Sequence, residues 1–133
     1  SAMKIALGLG CDRGTPAATL TQAIAEALAA CGARWHQIAA VASIDLKADE
    51  PGLAELAATQ GWQIHFYPAA ALARVSVPNP SETVRRHTGT PSVSEAAALL
   101  AAGADASALL IEKHKLRGPD GRHATVSIAK IPH

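Results

Sequence analysis

From Lys4 the chain runs through an apolar segment, breaks into a turn spaced by Gly8, Gly10 and Gly14, and restarts at the pair Thr15-Pro16. A strand that feeds a helix through so short a turn commits the chain to a β-α unit, and such units bury their helices on a parallel sheet. The glycines permit a tight turn and let a ligand come close to the backbone. Thr15 is placed to N-cap the helix, with Pro16 at its first position, where proline lacks only an N–H that would be unpaired anyway. The free amides of such a helix start would face a carboxylate or a phosphate.

The same alternation continues. Leu20, Ile24 and Leu28 recur at helical spacing in an Ala-rich run from Thr15 to Cys31, and Gly32 supplies the stop. The run from Gln37 to Ile44 is short, apolar and β-branched. Asp49-Glu50-Pro51 opens a second helix that carries Leu53, Leu56 and Ala57 to Gly61. Trp62 to Tyr67 reads as a third strand, ended by Pro68, so the first half predicts a parallel sheet with right-handed crossovers. Val75 to Ser81 reads as extended chain leading to a helix start. Two short helices are predicted between Pro80 and Ala102, the first capped by Asn79 with Glu82, the second by Ser92 with Glu95. The segments 108–116 and 122–130 flank Gly118-Pro119-Asp120-Gly121 and predict a terminal antiparallel hairpin. The expected fold is a three-layer α/β domain, its sheet mainly parallel with a C-terminal antiparallel hairpin at one edge. It covers residues 3–133, with Ser1-Ala2 before Met3 set aside as a cloning remnant. There is no internal repeat, low-complexity tract or interdomain linker.

Composition excludes several classes. The 133 residues carry a net charge of +1 and 3% aromatics, without the basic stripe and stacking rings of a nucleic-acid binder. Cys11 and Cys31 are too few for a disulfide framework, and no signal peptide or 18-residue apolar span is present, so a cytoplasmic protein with no membrane partner is expected. The six histidines show no HExxH or paired CxxC pattern, and neither a metal nor a cofactor is expected. A dinucleotide site fits poorly. Gly8, Gly10 and Gly14 space out one residue too many for the usual fingerprint, and Asp45 follows about thirty residues after Gly14 where about twenty is usual.

A parallel sheet gathers its chemistry beyond the carboxyl ends of its strands. There the first loop offers Gly10, Cys11, Asp12, Arg13, Gly14 and Thr15, the second Ser43, Asp45, Lys47, Asp49 and Glu50. A third region offers Ser76, Asn79, Ser81, Gly89, Ser92, Ser94 and Glu95. Such a face suits an anionic ligand, with Arg13 forking onto a carboxylate and Lys47 acting as a point charge. Ordinary caps and solvated charges would account for the same residues. Cys11 sits beside Arg13 and ahead of a helix start, both of which would lower a thiol pKa, although no spacing identifies a base for it. A small residue packed in a tight turn is the favoured reading of Cys11, and Cys31 reads as helix-end core.

These residues bring out a resemblance over nearly the whole chain. The motifs are GLGCDRGT from Gly8 to Thr15, SIDLKADEPGL from Ser43 to Leu53, SVSEAAAL from Ser92 to Leu99, and the hairpin strand ATVSIA from Ala124 to Ala129. In their order and spacing the chain resembles the CobE proteins of aerobic cobalamin (vitamin B12) biosynthesis and the equivalent C-terminal domain of the CbiG proteins of the anaerobic route. The resemblance implies a place in corrin-ring assembly around the precorrin-5 and precorrin-6 stages, where an extruded two-carbon fragment leaves the contracted macrocycle. CbiG proteins hydrolyse a δ-lactone there and release acetaldehyde. They carry additional N-terminal segments outside the resemblance, so the resemblance by itself does not assign hydrolase activity to the domain. Corrinoid intermediates bear many acetate and propionate carboxylates, which agrees with the anion face read from the residues.

Three readings stand. In the favoured one the domain binds a corrinoid or precorrin intermediate as carrier, chaperone or accessory protein, because only an oxyanion site is clear and no base is. In the second it hydrolyses a precorrin lactone, with Cys11, Asp45, Lys47 and Glu50 as the catalytic candidates. Gly10, Arg13, Gly14, Thr15, Ser43, Asn79, Ser81, Ser92 and Glu95 are the ligand-binding candidates in either. In the third it docks on another enzyme of the pathway through a sheet edge left by the hairpin.

Overall fold

The computed structural model describes residues 3–78 and 93–133. Strands β1 (Ile5–Cys11), β2 (Ile38–Ile44) and β3 (His65–Tyr67) run parallel. Strands β4 (Leu109–Arg117) and β5 (His123–Lys130) form an antiparallel hairpin, and β5 lies antiparallel against β1. The order is β3-β2-β1-β5-β4, so β3 and β4 are the two edges. Helices α1 (Ala17–Cys31) and α2 (Pro51–Gln60) cover one face, α3 (Ala69–Ala73) and α4 (Val93–Ala102) the other. This is the expected α/β architecture, with the hairpin where the turn chemistry placed it. The Gly121 N–H donates to Gly118 O (3.0 Å), and Gly121 takes the positive φ of 86° that the turn requires.

Three boundaries move for local reasons. The predicted third strand starts at His65 rather than Trp62, because Trp62 closes α2: its N–H donates to Ala57 O (2.9 Å) and its ring stacks on Trp35 at 6.1 Å. Gln37 belongs to a 3-10 turn, where its side chain accepts from Arg34 N–H and donates to Met3 O, and β2 begins one residue later. Helix α3 follows Pro68 directly. Its sequence AAALA has no polar face from which a period could be read. The predicted helix at Pro80, with its cap Asn79, lies outside the described residues.

Strand β1 is buried on both faces, and its alternation assigns them different duties. Ile5, Leu7 and Leu9 pack with Leu20, Ile24, Leu28, Leu53 and Leu56 of α1 and α2, each such side chain contributing about 1.5–3 kcal/mol by burial. Ala6 lies on the opposite face under Ala98, Leu99 and Ala102. Gly8 is set between them by necessity, since a Cβ there would stand 1.8 Å from Ser94 O and 2.6 Å from Ala98 N. The backbone of α4 rests directly on the strand. The glycine expected to admit a ligand admits a helix.

Gly8→Ala forces α4 away from the sheet and is expected to cost about 3 kcal/mol or to prevent folding. Gly10→Ala, whose Cβ would meet only Thr125 Cβ at 3.8 Å, is expected to stay near wild type. Urea midpoints of the two variants check this, and equal midpoints would refute the packing account.

Candidate functional site

The pairing of Cys11 with Ala124 brings the loop after β1, the turn after β2 and the hairpin turn to the same carboxyl edge. Arg13 ties the first two. Its Nη1 lies 2.7 Å from Asp49 Oδ1 and 3.2 Å from Glu50 Oε1, and its Nη2 donates to Leu46 O (2.9 Å). The Gly14 N–H donates to Glu50 Oε2 (3.1 Å), and Glu50 is only 3% exposed. Gly52 makes this approach possible, because a Cβ there would stand 2.2 Å from Thr15 O. Arg122 joins the third segment, its Nε donating to Arg13 O (2.9 Å) while its Nη1 pairs with Asp120. The anion expected at Gly14 and Arg13 is present, and it is the chain's own Glu50 carboxylate.

Two expectations are corrected. Thr15 does not cap α1: the cap position is Pro16, the helix begins at Ala17, and the buried Thr15 hydroxyl donates into its own loop, to Asp12 O (2.8 Å). The Cys11 thiol is not acidified. Burial pushes it up to about 11, with Glu50 and Asp12 adding to the rise, and the opposing charges of Lys47 and Arg13 do not recover it.

The other candidates divide by surroundings. Gly10 is a β1 residue paired opposite Thr125, and Ser43 is fully buried, its hydroxyl donating to Leu9 O (2.6 Å) to join β2 to β1. Asp45 and Lys47 stand on a 3-10 turn (Asp45–Lys47), Asp45 exposed and Lys47 half-buried. Glu95 lies under α4, 1% exposed, with Oε1 3.4 Å from Lys113 Nζ, while Ser94 accepts from Ser127 (2.9 Å). Asn79, Ser81 and Ser92 lie outside the described residues.

Two features of this edge escaped the sequence. Asp12 Oδ2 accepts the His123 backbone N–H (2.7 Å) and lies 3.1 Å from His123 Nδ1, and the Asp12 N–H donates back to His123 O (3.0 Å). Partial burial opposes the Asp12 charge, but the hydrogen bonds from His123 outweigh it and hold the carboxyl below its usual range. The partners lie 111 residues apart, so only the placement of β5 beside β1 could have revealed them. The second feature is Leu46, 51% exposed beside Lys47, where nothing in the sequence marks an apolar side chain as uncovered. Among the described residues no cluster of three or more His, Cys, Asp or Glu could hold a metal, and no helix is long and apolar enough to cross a membrane.

Comparison with known proteins places the chain among relatives. Residues 5–129 match the family described as cobalamin synthesis G C-terminus. Protein CobE of a Sinorhizobium species is 40% identical over 129 residues, covering 94% of this chain and 79% of that protein. Cobalt-precorrin-5A hydrolase of Priestia megaterium is 38% identical over 97% of this chain, which spans only 33% of the hydrolase. The crystal structure of a CobE from the vitamin B12 pathway superposes with a TM-score of 0.83 at 34% identity, covering 100% of this chain and 97% of that one. The cobalamin biosynthesis protein chiG of Agrobacterium tumefaciens gives 0.67 at 31% identity, over 97% and 99% of the two chains.

Two measurements check the site as built. With Cys31→Ser as background, alkylation of Cys11 by iodoacetamide is expected to be slow at pH 8 and to rise toward pH 11; rapid labelling at pH 8 would contradict the buried thiol. Stability from this group is full below the ordinary value near 9.0 and declines as pH rises through about 11, because the unfolded thiol ionises first. Glu50→Ala strands the Gly14 N–H and is expected to cost about 2 kcal/mol. Arg13→Ala removes contacts made by a side chain that is 59% exposed and is expected to cost less than Glu50→Ala. Denaturant titration compares them, and a larger loss for Arg13→Ala would reverse the ranking.

Proposed function

The chain belongs to the cobalamin synthesis G C-terminal family and is a cobalamin biosynthesis protein, and from that premise we propose that its carboxyl-edge rim binds a corrinoid or precorrin intermediate around the precorrin-5 to precorrin-6 stages. The role is that of a carrier or accessory protein. The observation that carries this reading is the pairing of Lys47, which makes no ion pair among the described residues, with the uncovered Leu46 on a braced turn. A corrinoid presents a flat apolar ring fringed by carboxylates, and an apolar side chain beside an ammonium matches both parts. Arg13 supports the turn instead of gripping the ligand, since Asp49 and Glu50 already occupy its guanidinium. Holding the turn before the ligand arrives lowers the ordering cost of binding.

A hydrolytic reading is favoured by one observation, the Asp12–His123 pair, which supplies a base that the sequence did not show. The relative named as a cobalt-precorrin-5A hydrolase is three times the length matched here, so its activity is proposed for this chain and not transferred to it.

Absorbance titration with metal-free hydrogenobyrinic acid tests the binding reading. Saturable binding is expected, weakened about fivefold by Lys47→Ala, the equivalent of about 1 kcal/mol, and to a similar extent by Leu46→Ser. Binding that both variants leave unchanged would remove the rim as the site.

A further inference from the structure

We propose that His123 is the general base of this edge, oriented by Asp12 to take a proton from a water attacking an ester or lactone carbonyl of the bound corrinoid. The proposal rests on the hydrolytic reading and assigns it a residue. Asp12 is held ionised by its surroundings, and an ionised carboxylate can only accept hydrogen bonds. The proton of a neutral His123 ring therefore lies on Nδ1, toward Asp12 Oδ2 at 3.1 Å. That places the lone pair on Nε2. Nε2 has no hydrogen-bond partner among the described residues, and the ring is 41% exposed, so a water can reach it.

The pair is built rather than incidental. His123 opens β5, paired with Arg117 of β4, and Asp12 follows Cys11 at the end of β1. The reciprocal backbone bonds fix both residues before the ring is oriented: Asp12 N–H to His123 O, and His123 N–H to Asp12 Oδ2. The Thr15 hydroxyl also stands 3.2 Å from His123 O. Of the charged groups around the pair, Lys47 is near enough for its charge to favour ionisation of both Asp12 and Cys11. Arg122 is engaged with Asp120 and Arg13 O, and Glu50 with Gly14 and Arg13. Among the described groups around the pair, Lys47 is thus the cation left to offset charge on a carbonyl oxygen.

The step consumes one water. Its oxygen bonds to the carbonyl carbon while its proton passes to His123 Nε2, the carbon–oxygen bond to the ring oxygen breaks, and the leaving alkoxide takes the proton back from Nε2. A carboxylic acid and a hydroxyl result, the imidazole returns to its starting state, and nothing is oxidised or reduced.

The test uses the whole chain with cobalt-precorrin-5A, following ring opening as the gain of one water by mass, beside hydrogenobyrinic acid titrations of every variant. The expected result is turnover by wild type, lost about 100-fold or more in His123→Gln with affinity within about twofold. Asp12→Asn, a change to the positioning residue, is expected to lower the rate and to displace the acidic limb of the pH–rate profile, where the base becomes protonated. His123→Gln should abolish that limb. Turnover unchanged in His123→Gln overturns the proposal while leaving the hydrolytic reading intact. Binding without any water gain by wild type overturns both and leaves the carrier reading, and loss of affinity equal to the loss of rate in His123→Gln assigns the ring to binding and overturns its role as base.

Discussion

The space where a side chain at Gly8 would stand is filled by the backbone of α4, with Ser94 O closest. Everything on that face of the sheet follows from this approach. Ala6, Ala42 and Ala129 form the floor and Ala96, Ala97 and Ala98 the helix surface, because only small side chains let a helix sit so close. Most of the large residues gather on the other face, under α1 and α2, with Leu99, Ile44 and Leu72 the large side chains on this one. Polar atoms trapped by the contact are paired across it, as Ser127 is with Ser94 and Lys113 with Glu95. A strand sealed on both sides has no room for a ligand along its length, so the available chemistry is displaced to its carboxyl end.

At that end the chain satisfies its own anion site. A glycine-rich turn before a helix offers amides to a negative group, and Glu50 supplies one from the next β-α unit. Its burial is tolerable because Gly14 and Arg13 both serve it, one by a backbone N–H and one by charge. The rim becomes stiff and most of its ionic capacity is used internally. Among the described residues, the Lys47 ammonium and His123 Nε2 are left there without an ion-pair or hydrogen-bond partner, beside the exposed Leu46. The same burial that stabilises this joint raises the Cys11 thiol, so the residue that looks most like a nucleophile in the sequence is held back from ionising. Local sequence context and three-dimensional surroundings act on this group with opposite signs, and desolvation is the larger.

The sequence by itself determined the two β-α units and the terminal hairpin, because periods of 3.6 and 2 and turn residues such as Gly32, Pro68 and Pro119-Gly121 are local properties of the chain. Helix α3 and the shortened β3 were not legible, since Ala69–Ala73 is too short to show a period and the duty of Trp62 depends on Trp35. Motifs around Gly8 and Ser43 carried the family, yet they misassigned duties within it: Gly8 admits a helix, Ser43 joins strands and Thr15 holds a loop. Only the tertiary structure decided which charges face one another. Arg13 meets Glu50 and Asp12 meets His123 because β2 and β5 flank β1, and strand order is set by the packing of distant segments, which leaves no trace in local spacing.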